Sequence, residues 1–279
     1  MPDASASTPP EKIVVSGFRH FFDTADGPVQ ATDQVDLTIR SGEFVTLVGP
    51  SGCGKTTLLK ALAGFIRPSE GTILCDGKPV TGPGRERGVV FQELAILPWR
   101  TVRRNIGHGL EIAGVPRAER ERSVTRLIEL TGLAGFEDRY PHELSGGMRQ
   151  RVAVARTWAA DPDVILMDEP FAAVDAMTRL TLQEELVRLC TATRKTVFFI
   201  THSVDEAVFL ADRVLVMSRR PGRIKAMIDV PGRLAGRDWE SFKIDAAMQA
   251  LVEQVLRLVR EERGLTAPAA PALAAGPGA

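Results

Sequence analysis

The sequence predicts an α/β fold in which buried parallel strands end beside a phosphate-binding loop. An apolar run at 44–48 enters the glycine-rich turn 49–57, GPSGCGKTT, and a helix-forming stretch follows at once. The runs 164–167 and 196–200 place apolar residues in successive positions, which is typical of strands buried on both faces. A block with helical periodicity, 101–160, separates the loop from these two strands. Strands that alternate with helices in this order favour a sheet covered by helices.

The composition limits the class of protein. A chain of 279 residues can bury the core of one large domain, or of one domain with an inserted subdomain. Its 35 basic and 35 acidic side chains balance, so a general nucleic-acid-binding protein is disfavoured. Cys53, Cys75 and Cys190 are far apart and odd in number, which predicts neither a disulfide framework nor a metal site. We therefore expect a reducing compartment.

Both ends of the chain predict disorder. Residues 1–11 contain no apolar core, so we expect neither a signal peptide nor an anchor there. Residues 264–279 are rich in Ala, Pro and Gly, and we expect a disordered tail after a folded domain at 12–263. No stretch approaches the ~20 apolar residues that a membrane-spanning helix needs. A role at a membrane would therefore require another chain.

The turn 49–57 has the features of a phosphate-binding loop. Gly49, Gly52 and Gly54 carry no side chain that would hold a phosphate away, so backbone N–H groups and the positive end of the helix dipole can face it. Lys55 would reach the terminal phosphates, and the Thr56 hydroxyl would bind Mg²⁺. Taken alone, the pattern also fits a GTP site or a chance occurrence.

The remaining residues of the loop leave alternatives open. Pro50 and Ser51 are assigned to the nucleotide site with the rest of the loop. Thr57 is either a phosphate contact or an ordinary hydroxyl at a helix start. Cys53 is included in the loop, but we interpret it as a small residue filling a tight turn, because nothing in the sequence supplies a base that would activate its thiol.

The segment before the loop, 12–48, predicts short antiparallel strands that lead into it. Phe18, Phe21 and Phe22 cluster just before the polar turn 23–28. One flat ring can stack on a nucleotide base, and we assign this role to Phe22. Plain core packing is the alternative for each of the three rings.

The helical block 101–160 contains a second candidate anion-binding helix start. Its final helix follows the motif LSGGMRQR, in which Ser145 is a suitable N-cap. Gly146 and Gly147 leave the amide groups of the first helical turn bare. An earlier helix of the block has an apolar face at helical spacing, formed by Val124, Leu127, Ile128, Leu130 and Thr131.

Polar residues follow the predicted buried strands at their carboxyl ends, where open α/β sheets bind ligands. Asp168 is positioned to hold Mg²⁺ through water, and Glu169 to polarise a water for attack on phosphorus. The alternative for these acids is a solvated turn or a helix cap. Gln92 ends the strand 88–91 and would meet the metal or the attacking water. His202 follows the strand 196–200, whereas His20, His108 and His142 are given structural roles.

The last third of the chain predicts further regular elements. We expect a helix at 177–191, a strand at 214–217 and a β-hairpin arm at 223–230. One amphipathic terminal helix is expected over 239–263, with a packing face formed by Phe242, Ile244, Met248, Leu251, Val252 and Val255.

Together these motifs resemble the nucleotide-binding subunit of an ATP-binding cassette (ABC) transporter, over about residues 12–260. The resemblance implies a P-loop NTPase (ABC ATPase) core with an antiparallel β subdomain and an inserted α-helical subdomain at about 93–160. Few phosphate-loop proteins have LSGGxRQ just ahead of a D-E-P strand, so the signature motif discriminates most. The matches are 49–57 to the Walker A loop, Gln92 to the Q-loop, 144–151 to the signature, Glu169 to the catalytic glutamate of Walker B, 172–175 to the D-loop and His202 to the switch histidine.

The resemblance also implies a mechanism with ATP and Mg²⁺. Two ATPase subunits, expected as a homodimer, would pack head to tail, so that the signature of one closes on the ATP held by Lys55 of the other. Glu169 would activate water, His202 would contact the γ-phosphate, and Gln92 would report the state of the site to the helical subdomain. The implied signature and D-loop contacts to nucleotide are Ser145, Gly146, Gly147, Gln150 and Asp175, and the implied metal ligands are Thr56, Gln92 and Asp168.

Two segments resemble a narrower branch, which serves importers of nitrate, sulfonate, taurine and related small solutes. They are FQELAILPWRTV at 91–102 and RRPGRI at 219–224. The branch implies a separate membrane permease, an indirect extracytoplasmic solute-binding protein and a peripheral location at the cytoplasmic face of the inner (plasma) membrane. Trp99 would either contact the permease or pack within its subdomain.

The alternatives are an ABC ATPase for lipid or drug movement and a non-transport ABC protein acting on DNA or ribosomes. The last of these predicts a long coiled-coil insertion or tandem cassettes, and the sequence has neither.

Overall fold

The computed structural model describes residues 9–232 and 234–264. The termini predicted to be disordered therefore lie outside the described residues, apart from 9–11 and 264, and Glu11 is already the first residue of a strand. No helix within the described ranges is long and apolar enough to cross a membrane.

The described chain alternates strands and helices after an initial hairpin. The strands are β1 Glu11–Thr24, β2 Gly27–Arg40, β3 Phe44–Val48, β4 Glu70–Cys75, β5 Lys78–Pro79, β6 Arg87–Val90, β7 Val164–Asp168, β8 Thr196–Ile200, β9 Arg213–Met217 and β10 Ile224–Asp229. The α-helices are α1 Lys55–Ala63, α2 Val102–Ile106, α3 His108–Ile112, α4 Arg117–Leu130, α5 Gly146–Ala159, α6 Ala176–Thr193, α7 Val204–Leu210, α8 Trp239–Ile244 and α9 Ala246–Glu262, and a short 3₁₀ helix spans Pro141–Glu143.

The central sheet has the strand order β10-β9-β3-β8-β7-β6. Neighbouring strands from β9 to β6 are parallel, and among the described strands of this sheet only β10 runs antiparallel to its neighbour. Leu47 of β3 and Asp168 of β7 both pair in register with Ile200 of β8. The carboxyl ends of these three strands therefore meet at one edge of the sheet. The strands predicted at 164–167 and 196–200 are confirmed.

The antiparallel sheet has the order β2-β1-β4-β5. The prediction of antiparallel strands before the loop is correct for β1 and β2, but it is wrong for 44–48. That run forms β3 in the central sheet, parallel to both β8 and β9. All five β3 residues are buried, and a strand covered on both faces belongs in a parallel sheet rather than a half-exposed antiparallel one.

Alternate residues of the central strands build two separate cores. Phe44, Met167 and Phe199 point into the core under the helices on one face. Leu47 and Phe198 belong to the other core, which α1 and the antiparallel sheet complete. Each such side chain contributes about 1.5–3 kcal/mol when fully buried. This packing on both faces holds the loop-bearing end of β3 in place.

The helical block 101–160 contains α2 to α5. Val124, Leu127 and Ile128 of α4 are buried as predicted, but Leu130 is 40% exposed. Leu130 is the last residue of its helix and lines a small cavity with Val154 of α5 and Leu182 of α6.

The single terminal helix predicted over 239–263 is wrong. The chain forms two helices, α8 and α9, which are separated at Asp245. Asp245 has an extended backbone, and its carboxylate accepts hydrogen bonds from the amides of Ala247 and Met248, so it is the N-cap of a new helix. The break turns Ile244, which was expected to pack, to solvent with 85% exposure.

Candidate active site

The glycine-rich loop leaves β3 and turns directly into α1. Gly52 and Gly54 have φ angles of 74° and 106°, in the left-handed region that favours glycine. A Cβ on Gly54 would lie 2.7 Å from the Thr32 methyl carbon, and a Cβ on Gly49 would lie 2.8 Å from the carbonyl oxygen of Met217. The loop therefore needs glycine both for its turn and for its close packing on β2 and β9.

Lys55 is buried at the first turn of α1, and its Nζ donates to the carbonyl oxygens of Gly49 and Pro50 at 3.0 and 2.9 Å. The loop thus encloses an ammonium group at the start of a helix, an arrangement that favours the binding of a phosphate. Cys53 is also buried, and burial raises the pKa of its thiol. This environment favours the interpretation of Cys53 as a small packing residue.

One cavity joins the loop to the ends of β7 and β8. It is open to solvent and is lined by Ser51, Gly52, Gly54, Lys55, Thr56, Thr57, Glu169, His202 and Arg220. The structure therefore brings most of the predicted loop residues together with the predicted base and the switch histidine. Gln92 does not line this cavity; it is exposed just beyond the end of β6.

Two oxygen ligands suited to a hard cation lie side by side at this edge. Thr56 Oγ1 donates to Asp168 Oδ1 at 3.3 Å. Burial raises the pKa of the Asp168 carboxyl, against the opposing effects of the Thr56 hydrogen bond and the charge of Lys55. No group of three or more His, Cys, Asp or Glu among residues 9–232 and 234–264 could hold a metal. Thr56 and Asp168 fit Mg²⁺, because this ion binds few protein ligands and takes its remaining ligands from phosphates and water.

Glu169 and His202 form a close pair across the ends of β7 and β8. His202 Nε2 lies 2.5 Å from Glu169 Oε1. Burial and the charge of Lys55 lower the pKa of His202, against the opposing effect of Glu169, which favours the neutral imidazole. A neutral imidazole that carries its proton on Nε2 donates to the Glu169 carboxylate. Glu169 has a φ of 47°, an uncommon backbone conformation for a residue other than glycine.

A buried carboxylate that the sequence analysis missed supports the turn carrying His202. Glu206 of α7 accepts hydrogen bonds from Thr201 Oγ1 and from Gln183 Nε2 of α6. Burial raises the pKa of Glu206, against these hydrogen bonds. The helix VDEAVFL has two acids in its first turn, Asp205 and Glu206, and only Glu206 is buried, so the sequence alone does not single it out.

The signature motif begins α5 as predicted. Ser145 Oγ accepts a hydrogen bond from the Met148 amide at 3.3 Å and is the N-cap. A Cβ on Gly147 would lie 2.5 Å from the Thr178 methyl carbon, whereas a Cβ on Gly146 would meet nothing closer than Arg149 at 4.0 Å. Gly147 therefore allows α5 to pack closely against α6, and Gly146 faces open space.

None of the predicted signature and D-loop residues lines the loop cavity within this chain. Gln150 is buried, and its Nε2 has no hydrogen-bond partner among the described residues. Asp175 is the N-cap of α6, and its Oδ1 accepts from the Thr178 amide at 3.0 Å. The side chains of both residues thus lie in or against their own subunit.

Phe22 lies near the end of the β1–β2 hairpin and is 41% exposed, edge-on to the His20 ring at 4.6 Å between centroids. Phe18 is fully buried, and Phe21 is half-buried. Of the three rings, Phe22 is thus the most accessible to a base, and its stacking role stays a prediction.

Comparison with known proteins gives consistent matches along the chain. Residues 32–172 match the family model described as ABC transporter. An uncharacterized ABC transporter ATP-binding protein of Methanocaldococcus jannaschii is 53% identical over 78% of this chain and 82% of its own length. The taurine import ATP-binding protein TauB of Pseudomonas putida is 47% identical over 86% of this chain and 92% of its own.

Solved structures match the fold. A dimeric ATP-binding cassette in a post-hydrolysis state, bound to ADP and Pi, is 28% identical with a TM-score of 0.70, over 79% of this chain and all of that one. The protein cbiO1 of Clostridium perfringens, part of the ABC transporter complex cbiONQ, has a TM-score of 0.73 and 25% identity, over 91% of this chain and 99% of its own.

We expect substitution by alanine to destabilise the protein at Gly147 but not at Gly146. Gly147→Ala should lower the unfolding free energy by about 1–3 kcal/mol, because the added methyl group overpacks the contact with Thr178. Gly146→Ala should leave it unchanged or raise it by up to about 1 kcal/mol, because the methyl group enters open space and alanine favours a helix. Denaturant unfolding of both variants beside the wild type measures this, and equal effects would contradict the assigned packing.

Proposed function

The chain belongs to the ABC transporter family. We propose that it hydrolyses ATP to power the import of a small solute through a separate membrane permease. The observation that carries the proposal is the convergence of Lys55, Thr56, Asp168, Glu169 and His202 at one edge of the central sheet. Relatives named as taurine import ATP-binding proteins, at 47–52% identity, favour import over lipid or drug movement and over a role on nucleic acid.

The loop and Lys55 would bind the phosphates of ATP. The start of α1 has no side-chain cap on its N–H groups and Lys55 lines the cavity, so both are available to phosphates. Thr56 and Asp168 would hold Mg²⁺, with Gln92 as a further ligand, and the ion would neutralise charge on the terminal phosphates. Phe22 would stack on the base.

Glu169 would act as the general base. It orients a water for attack on the γ-phosphorus and takes a proton from it as the new P–O bond forms. The bond to the bridging oxygen breaks, which leaves ADP and inorganic phosphate. The neutral His202 would transfer its Nε2–H hydrogen bond from Glu169 to a γ-phosphate oxygen, and the Glu169 carboxylate is then available to the water.

The active site would be completed by a second copy of the chain. Gly146 and the capped start of α5 present bare amides to open space, away from the cavity of their own subunit. We propose that Ser145, Gly146 and Gly147 of one subunit close on the ATP bound by the other. Gln150 and Asp175 would serve this contact by fixing α5 and α6, because Gln150 is buried and Asp175 caps α6. The similar cassette bound to ADP and Pi is dimeric.

The segment 94–101 would contact the permease. Trp99 is 71% exposed, although tryptophan is usually largely buried. Asn105 holds the segment rigid: its Oδ1 accepts from the Leu97 amide at 2.8 Å, and its Nδ2 donates to the carbonyl oxygens of Leu97 and Arg100 at 3.0 and 2.8 Å. Large exposed aromatic side chains on a rigid support are typical of protein interfaces. This contact would place the subunit at the cytoplasmic face of the membrane.

The solute would be small and anionic or zwitterionic, such as taurine, another sulfonate or nitrate. This proposal comes from the names of the relatives and from the segments 91–102 and 219–224. The solute-binding protein and the permease would select the solute, and the ATPase subunit would act on them only through the permease.

We predict that Glu169→Gln binds ATP but hydrolyses it at least ~100-fold more slowly, because the general base is lost. The variant should accumulate as an ATP-bound dimer. Phosphate release measures turnover, and gel filtration with ATP measures the dimer. Glu253→Gln, at an exposed position of α9, is the matched control and should match the wild type. Turnover of Glu169→Gln near that of the control would exclude the assigned role.

Trp99→Ala should reduce co-purification of the chain with membranes that contain its permease at least ~tenfold, as expected for truncation of an interface aromatic. Ile244→Ala removes another exposed apolar side chain, at the end of α8, and should have no effect. The unfolding midpoint of Trp99→Ala should stay at the wild-type value. Undiminished co-purification would assign Trp99 to the surface of its own subdomain instead.

A further inference from the structure

The connection between β9 and β10 lies directly against the phosphate-binding loop. A Cβ on Gly222 would fall 1.9 Å from the carbonyl oxygen of Cys53, so the two backbones are in contact. The Gly222 amide donates to the Ala31 carbonyl at 3.0 Å, and the Gly222 carbonyl accepts from the Asp33 amide at 2.9 Å. The connection is thereby fixed between β2 and the loop.

Arg220 extends from this connection to the cavity. Its Nε donates to the Gly52 carbonyl at 3.2 Å, and its side chain lines the same cavity as Ser51, Glu169 and His202. In the part of the chain that the structure describes, its Nη1 and Nη2 have no hydrogen-bond acceptor. The Nε–H group thus fixes the guanidinium to the loop, and the Nη1 and Nη2 groups are available to donate to a ligand.

The other arginines of the connection are placed differently. Arg223 forms an ion pair with Asp33. The Arg219 amide donates to Glu262 at 2.9 Å, and Arg219 does not line the cavity. Arg220 therefore combines a fixed position with free donors beside the loop.

A planar guanidinium suits a phosphate, because its paired N–H groups match two phosphate oxygens. The cavity contains Lys55 as its other cationic side chain among the described lining residues. Fully ionised ATP brings more negative charge than one ammonium group and one Mg²⁺ ion balance together, so a further cationic side chain at the rim stabilises the bound form.

We propose that Arg220 is a further nucleotide-binding residue, which donates through its Nη groups to the terminal phosphate of ATP. The terminal phosphate is favoured over the inner ones because Arg220 shares the cavity with Glu169 and His202, the groups assigned to that phosphate. The inner phosphates would instead meet the amides at the start of α1. This inference rests on the proposed ATP site.

Isothermal titration calorimetry with Mg²⁺ and either AMP-PNP or ADP tests the proposal on the full chain. For Arg220→Gln, the Kd of AMP-PNP should rise at least tenfold, and that of ADP should change less than twofold. Tenfold corresponds to about 1.4 kcal/mol. Arg219→Gln makes the same change of charge one residue away and should leave both constants within twofold of wild type.

Unchanged AMP-PNP binding by Arg220→Gln, or equal losses for AMP-PNP and ADP, would overturn the assignment. The same loss in Arg219→Gln would overturn it too, because general charge rather than a specific contact would be responsible. Arg220→Lys keeps the positive charge but lacks the paired N–H groups, so its Kd for AMP-PNP should lie between those of the wild type and Arg220→Gln. The lysine variant also provides the test if the glutamine variant is poorly folded. Failure of the wild type to bind AMP-PNP would instead contradict the proposed function.

Discussion

The parallel pairing of β3 with β8 and β9 is the constraint on which the rest of the site depends. Because β3 is buried on both faces, its end cannot shift without breaking two cores. The same register brings the ends of β7 and β8 to the end of β3. The glycine-rich loop, Asp168, Glu169 and His202 therefore meet at one edge of the sheet.

The electrostatics of the edge follow from this packing. Burial opposes the charged forms of both Asp168 and His202, so it raises the pKa of the carboxyl and lowers the pKa of the imidazole. Asp168 lies beside Thr56 and Lys55, where a bound cation would favour its ionised form. The neutral form of His202, which burial favours, can donate a hydrogen bond. Glu206 accepts a hydrogen bond from Thr201 and so holds the turn in which His202 lies. One edge thus holds the carboxylate proposed to bind the metal, the proposed general base and a hydrogen-bond donor.

The sequence predicted those features that depend on local rules. The loop glycines, the Ser145 cap and the buried strands at β7 and β8 each follow from a residue type at a position in its own segment, and the ABC cassette fold is confirmed by similar structures. Features that depend on distant partners were missed: the packing of Gly147 on Thr178, the contact of Arg220 with the loop and the hydrogen bond between Gln183 and Glu206 each join segments far apart in the chain. The break at Asp245 was missed for a local reason, because an apolar period continues across its N-cap.

We propose that each copy of the chain supplies halves of two different active sites, and a disulfide cross-link between two copies tests this arrangement. Copies with Ser51→Cys are mixed with copies carrying Ser145→Cys and oxidised with Mg²⁺ and either AMP-PNP or ADP. The native Cys53 is buried with a raised thiol pKa and should react slowly. We expect a cross-linked heterodimer with AMP-PNP and little with ADP. No cross-link with AMP-PNP, or equal amounts with both nucleotides, would contradict it.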